Sequence, residues 1–172
     1  MFKEKYYYIH ILLVLAVLII LSKILKHPPN FTPLISIIVL SSFLIKKKSI
    51  LIATIILSLL IADSFLGLYP GISLVYLNFI FITLTTKIIF KNLNFINLFL
   101  MGFYSSFIFF LLSTPIHFFF QEDVVMKFEN LLNLYKDGYL FFVNTLFSTI
   151  IFNYIIGSII IVTNFERKYK KN

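Results

Sequence analysis

Few side chains here have chemistry to offer, and they sit at the edges of long apolar runs. Asp63, in Ala62-Asp63-Ser64-Phe65-Leu66-Gly67, closes one such run. A carboxylate there faces the negative C-terminal end of a helix dipole, and deep in lipid it costs about 2.5–3.5 kcal/mol on insertion scales. It calls for compensation by water, a backbone N–H, Lys26 or His27 across the same face, or a ligand. Asp63 thus reads as an anchor for a ligand or loop, or as an interfacial acid in water or capping the following turn. The second polar stretch is His27-Pro28-Pro29-Asn30-Phe31-Thr32-Pro33. Its two adjacent prolines fix φ near −65° and remove backbone donors, so the chain is extended. Thr32-Pro33 predicts a helix start with Thr32 as N-cap and Pro33 in the first turn, its free N–H groups turned toward an anion or a carbonyl. The same stretch also reads as a plain rigid turn. In a site, Asn30 and Thr32 would offer hydrogen bonds, Phe31 an apolar contact and Asp63 a charge or an acceptor.

A third polar stretch lies inside an apolar run. Asn144-Thr145, Ser148-Thr149 and Asn153 share a helical face by i, i+4 spacing. In lipid such groups bond between helices, at roughly 0.6 kcal/mol each. Asn144, near the end of its run, is also placed at a binding pocket, and Asn78 is a weaker case of the same kind. His27 and His117 with Asp63 fit no ligand spacing for a metal, and no cofactor motif is present. The chain has no cysteine, so a thiol nucleophile is excluded. It shows no phosphate loop, nucleophile elbow, HExxH or triad. One acid at membrane depth does not make the paired titratable groups that intramembrane catalysis needs, so the expectation is that the chain is not an enzyme.

The elements that must position these residues are membrane spans. Of 172 residues, 60% are hydrophobic, and the mean hydropathy is +0.98. A water-soluble domain of that composition would expose large apolar patches. The runs are continuous rather than alternating, which disfavours a β-barrel. The expectation is an all-α polytopic membrane protein, a single domain over 1–172 with six transmembrane helices at about 6–25, 33–45, 49–66, 72–90, 95–119 and 139–162. The second span is short, so it is tilted, buried or re-entrant. The segment from Phe120 to Gly138 is read as a long connection, and Pro115 as a kink.

The net charge of +8 does not point to nucleic acid, because the basic residues cluster between apolar runs. Lys3, Lys5, Lys46, Lys47, Lys48, Lys87, Lys91, Arg167, Lys168, Lys170 and Lys171 fall on one side of the six-span arrangement. Lys23, Lys26, Lys127 and Lys136 fall on the other. The positive-inside rule then puts both termini in the cytoplasm. The outer side collects the other polar groups, including His27, Asn30, Asp63, His117, Gln121, Glu122, Asp123 and Asp137. An elaborated outer face over a plain lysine face suits a chain that binds something outside.

The stretch from His27 to Pro33, Ala62-Asp63 with Gly67, Leu131-Leu132 with Tyr135, and Phe141-Phe142 with Asn144-Thr145 resemble an uncharacterised family of small bacterial membrane proteins with a PPNFTP motif. That family is similar to the S components of energy-coupling-factor (ECF) transporters. The resemblance spans about Leu25 to Ile156 and implies an S-component-like six-helix bundle in the bacterial inner membrane, with a ligand pocket near the outer face. It also implies an energising module as a possible partner. The chain departs from the pattern at Val143, Thr149 and Pro115, where polar or charged groups are expected. The leading reading is a substrate-capture subunit that binds a small molecule through Asn30, Phe31, Thr32, Asp63 and Asn144. The alternative is a structural or assembly protein of an envelope complex. A pocket of about 300 Å3 or more near the outer face separates the two.

Overall fold

The computed structural model describes residues 2–120 and 127–169, with side chains for 9–120 and 127–163. Gln121, Glu122, Asp123, Lys170 and Lys171 therefore lie outside the described residues, and Lys3, Lys5, Arg167 and Lys168 outside the described side chains. Among the described residues the chain is all-helical: α1 (Phe2–Ile24), α2 (Leu34–Leu44), α3 (Lys48–Leu66), α4 (Ile72–Ile89), α5 (Phe95–Phe119), α6 (Phe128–Asp137) and α7 (Tyr139–Tyr169).

Four of these helices are long and apolar enough to cross a membrane: α3, α4, α5 and the Tyr139–Thr163 part of α7. The expected count of six is thus corrected to four among the described residues. The apolar stretches Ile9–Ile24 of α1 and Leu34–Leu44 of α2 are shorter. At ~1.5 Å per residue, the 11 residues of α2 cover only about half of a bilayer's hydrocarbon core. The reason is local. Pro33 precedes α2, and Ile45 turns extended before Lys46-Lys47-Lys48.

α2 is the centre of the molecule. Every residue from Leu34 to Ser42 is buried, as expected of a helix apolar on all sides. It touches α1, α3, α4, α5 and α7. The core joins Ile35, Ile38 and Val39 of α2 to Leu15 and Ile19 of α1, Ile55 and Leu59 of α3, and Phe79 and Ile82 of α4. Outward faces stay apolar, with Leu13, Val14, Val17 and Leu21 of α1 exposed. Lipid tails are as apolar as leucine, so close packing and interhelical hydrogen bonds hold such a bundle together rather than burial from water.

The tightest pairing is α5 against α7. Gly102 is buried against Ile150, and Gly157 against Leu98. Asn153 Nδ2 donates to the Leu98 carbonyl at 3.1 Å, and Ser36 Oγ of α2 donates to the Thr149 carbonyl at 2.9 Å. The small polar face of α7 is thus an interhelical seam. Thr145 and Thr149 instead turn their hydroxyls to carbonyls of their own helix, those of Phe141 and Thr145.

α6 falls in the segment read as a plain connection. Leu131, Leu134 and Tyr135 face the bundle while Glu129, Asn133 and Lys136 are exposed, a helical amphipathic pattern. Pro115 explains its docking. A proline inside a helix supplies no N–H to the carbonyl four residues back, here that of Leu111. The Tyr135 hydroxyl donates to that carbonyl at 2.7 Å. Tyr135→Phe is expected to lower stability by about 1–2 kcal/mol, since it strands a carbonyl. Faster proteolysis at α6, with the other helices protected, would report the undocking.

Candidate functional site

One end of the bundle gathers the strap between α1 and α2, the α3–α4 turn, the end of α5, α6 and the start of α7 around a cavity of about 660 Å3. Aromatic rings form its α5–α7 wall. Phe110 stacks on Phe142 at 5.0 Å between centroids and meets Tyr135 edge-on at 5.4 Å. Phe109 stacks on Phe79 at 5.1 Å. Such interlocked rings make a rigid apolar wall. Asn30, Ser113, Thr114, His117, Asp137 and Thr145 bring polar groups to the lining. The hydroxyl hydrogens of Thr114 and Thr145 are spent on the Phe110 and Phe141 carbonyls, which leaves oxygen lone pairs for an occupant.

The opposite wall is the α3–α4 turn, with Tyr69 and Pro70. Gly71 ends that turn at φ +83°, and a Cβ there would stand 2.6 Å from Phe120, which also lines the cavity. Both the backbone angle and the space call for glycine. Burial first, and then the nearby Asp63 carboxylate, raise the Tyr69 pKa above its ordinary value, so this hydroxyl stays protonated and able to donate. Burial also raises that of Tyr135.

The strap is pinned rather than free. Asn30 sits at φ 57°, a left-handed angle that asparagine tolerates better than most residues. Its carbonyl accepts from Ser148 Oγ at 3.4 Å, and the Pro29 carbonyl accepts from Asn144 Nδ2 at 3.1 Å. Phe31 packs edge-on against Phe152, 6.2 Å between centroids. Thr32 Oγ1 donates to the Ser22 carbonyl at 2.8 Å. The expected N-cap is corrected. The residue before α2 is Pro33, which makes no side-chain cap bond, and Thr32 Oγ1 accepts from Leu34 N only at 3.4 Å. The prior tie from Thr32 to α1 is what draws its hydroxyl away.

Of the five residues singled out in the sequence, Asn30 alone lines the cavity. Phe31, Thr32 and Asn144 hold the strap that carries it. Asp63 lies behind the wall, buried to 1% exposure. It is paired with Lys23 of α1 and accepts from the Tyr76 hydroxyl at 2.6 Å. Its compensating cation is therefore Lys23 and not Lys26 or His27; the His27 Nδ1 instead lies 2.9 Å from the carbonyl of Pro28. His27, His117 and Asp63 do not come together, and no group of three or more His, Asp or Glu poised for a metal occurs among the described residues.

Over residues 3–171 the chain matches a family described as being of unknown function, DUF6580. The chain belongs to that family. Comparison of this DUF6580 member with curated proteins and with solved structures gave no match.

The lining residues that sequence reasoning missed include Ser113, Thr114, Phe110 and Tyr69; Asp137 was placed on the outer face and Phe142 in the resemblance, but neither at the site. Their one available signal was the pairing of Pro115 with a tyrosine on a neighbouring amphipathic stretch. Removing the Asn144 amide tests the strap. Asn144→Ala is expected to cost about 1 kcal/mol, the net value of one hydrogen bond, and to increase hydrogen exchange at the amides of Asn30, Phe31 and Thr32 while the core of α2 stays protected.

Proposed function

We propose that the chain is a substrate-capture subunit, S-component-like in organisation, that holds a small molecule in the cavity beside the strap. The observation that carries this reading is the cavity itself. At about 660 Å3, it falls within the usual range for small-molecule sites and has their usual make-up, mostly apolar walls with a few polar groups. A purely structural protein needs no such space at the end of its bundle. Binding, rather than catalysis, fits a lining that, among the described residues, brings one acid, Asp137, and no pair of carboxylates. In this reading the lysine-rich end faces the cytoplasm, as do both termini, the protein resides in the bacterial inner membrane, and the cavity opens outward. An energising module is the proposed partner for uptake.

Native mass spectrometry of the protein, gently purified from its own host, tests the reading. A retained small molecule supports capture. Ser113→Trp, which places an indole in the cavity, should then abolish retention without loss of the folded bundle. A protein partner retained with no small molecule would favour the envelope-scaffold reading, and retention unchanged in Ser113→Trp would place the molecule outside this cavity and overturn the assignment of the site.

A further inference from the structure

We propose that the cavity selects an organic cation, a compact ring-bearing molecule with an ammonium or similar charged nitrogen. The inference rests on the capture reading and adds the class of ligand. Among the described residues, the cavity lining contains no lysine or arginine, and its only acidic residue is Asp137. Asp137 ends α6 at the cavity rim, and the residues one turn back on the same face are Asn133 and Leu134, neither a counter-ion. The sole ion pair among the described residues is Lys23 with Asp63, so Asp137 has no cationic partner among them. The same lining holds the rings of Phe110, Phe141, Phe142 and Phe120. Aromatic rings attract cations through their negative π faces, and this is the usual means of holding quaternary ammonium groups. The threonine lone pairs add acceptors. The Asn30 amide, Ser113, Tyr69 and His117 are the neutral donors of the lining. An anion would meet an unpaired carboxylate and no compensating charge, which disfavours it. A neutral molecule would leave that carboxylate unused.

Three ring probes of similar size separate the possibilities: the phenyltrimethylammonium cation, neutral benzyl alcohol and the benzenesulfonate anion. Binding is read by saturation-transfer NMR on the full chain in phosphatidylcholine nanodiscs, with empty nanodiscs subtracted. The cation is expected to bind about tenfold more tightly than either other probe. Asp137→Asn should weaken it by about tenfold, and Phe110→Leu by a smaller factor. Asp137 is exposed, so thermal unfolding of Asp137→Asn should match the parent and show that the loss is not one of folding. Equal binding of alcohol and cation, unaffected by Asp137→Asn, overturns the charge inference and leaves capture standing. If no probe binds while a neutral or anionic molecule is retained in native mass spectrometry, the inference again fails alone. If no probe binds and nothing is retained, both readings fail.

Discussion

Lys23→Met is expected to destabilise the protein by about 3–5 kcal/mol, the cost of leaving a buried charge without its partner. Asp63 has 1% exposure and keeps only the Tyr76 hydroxyl as a donor in that variant. Asp63→Leu should cost less, about 2 kcal/mol, because a lysine on a long stem can carry its head toward the interface. The Lys23 side chain already retains 17% exposure and sits in the last turn of α1, where a cation is favoured by the helix dipole. The two losses should not add. The double variant Lys23→Met with Asp63→Leu is expected to recover most of the deficit, since an apolar pair of similar volume often replaces a buried ion pair at little cost. Adding Tyr76→Phe removes the hydroxyl left without an acceptor and should recover more. Unfolding in mixed micelles, arranged as a double-mutant cycle, measures the coupling. Equal, small and additive effects would show that the pair does not tie α1 to α3 and α4.

That pair also shows how far the sequence carries the site. A carboxylate closing an apolar run demands a partner on physical grounds, and Asp63 has one. Which cation serves is a matter of helix phase. Lys23, Lys26 and His27 lie within one another's reach along the chain. Lys23 lies in the last turn of α1, which packs on α3, whereas Lys26 and His27 come after the helix ends at Ile24. The strap was legible because proline and its neighbours restrict the backbone locally. Its tie to α7, through Asn144 and Ser148, joins residues more than a hundred positions apart, and no local rule supplies that. The cavity wall was the least legible part. Phenylalanine occurs 22 times in the chain, and the rings that line the cavity carry no pattern that sets them apart from those facing lipid. The short α2 was legible as an anomaly of length. Its place at the centre follows from being apolar on every side while too short to span. α6 was hidden by the search for long apolar runs, because an interfacial helix shows its period in alternation of character rather than in mean hydropathy.

The second large effect is expected at Gly102. A Cβ there would stand 2.8 Å from Ile150 Cγ1 and 3.1 Å from the Ile150 Cα, with Asn153 Nδ2 at 3.3 Å. A side-chain tip can swing away, but the Cα can move only if α7 moves. Moving α7 disturbs the hydrogen bond from Asn153 to the Leu98 carbonyl and the one from Ser36 to the Thr149 carbonyl. Gly102→Ala is therefore expected to cost about 2–3 kcal/mol, and Gly102→Val more, in the upper range of overpacking effects. Gly157 supplies the contrast. The three atoms nearest its Cβ all belong to the Leu98 side chain, which can adjust, so Gly157→Ala should cost about 1 kcal/mol although the initial contact is closer. Ile150→Ala in the Gly102→Ala background relieves the Cγ1 contact but not that with Cα, and should return only part of the loss. Full rescue would place the strain in the side chain alone and remove the argument that backbone approach sets the α5–α7 distance. No rescue, with both glycine variants equal, would mean that the seam tolerates separation, and that the cavity wall built on α5 and α7 is held by other contacts.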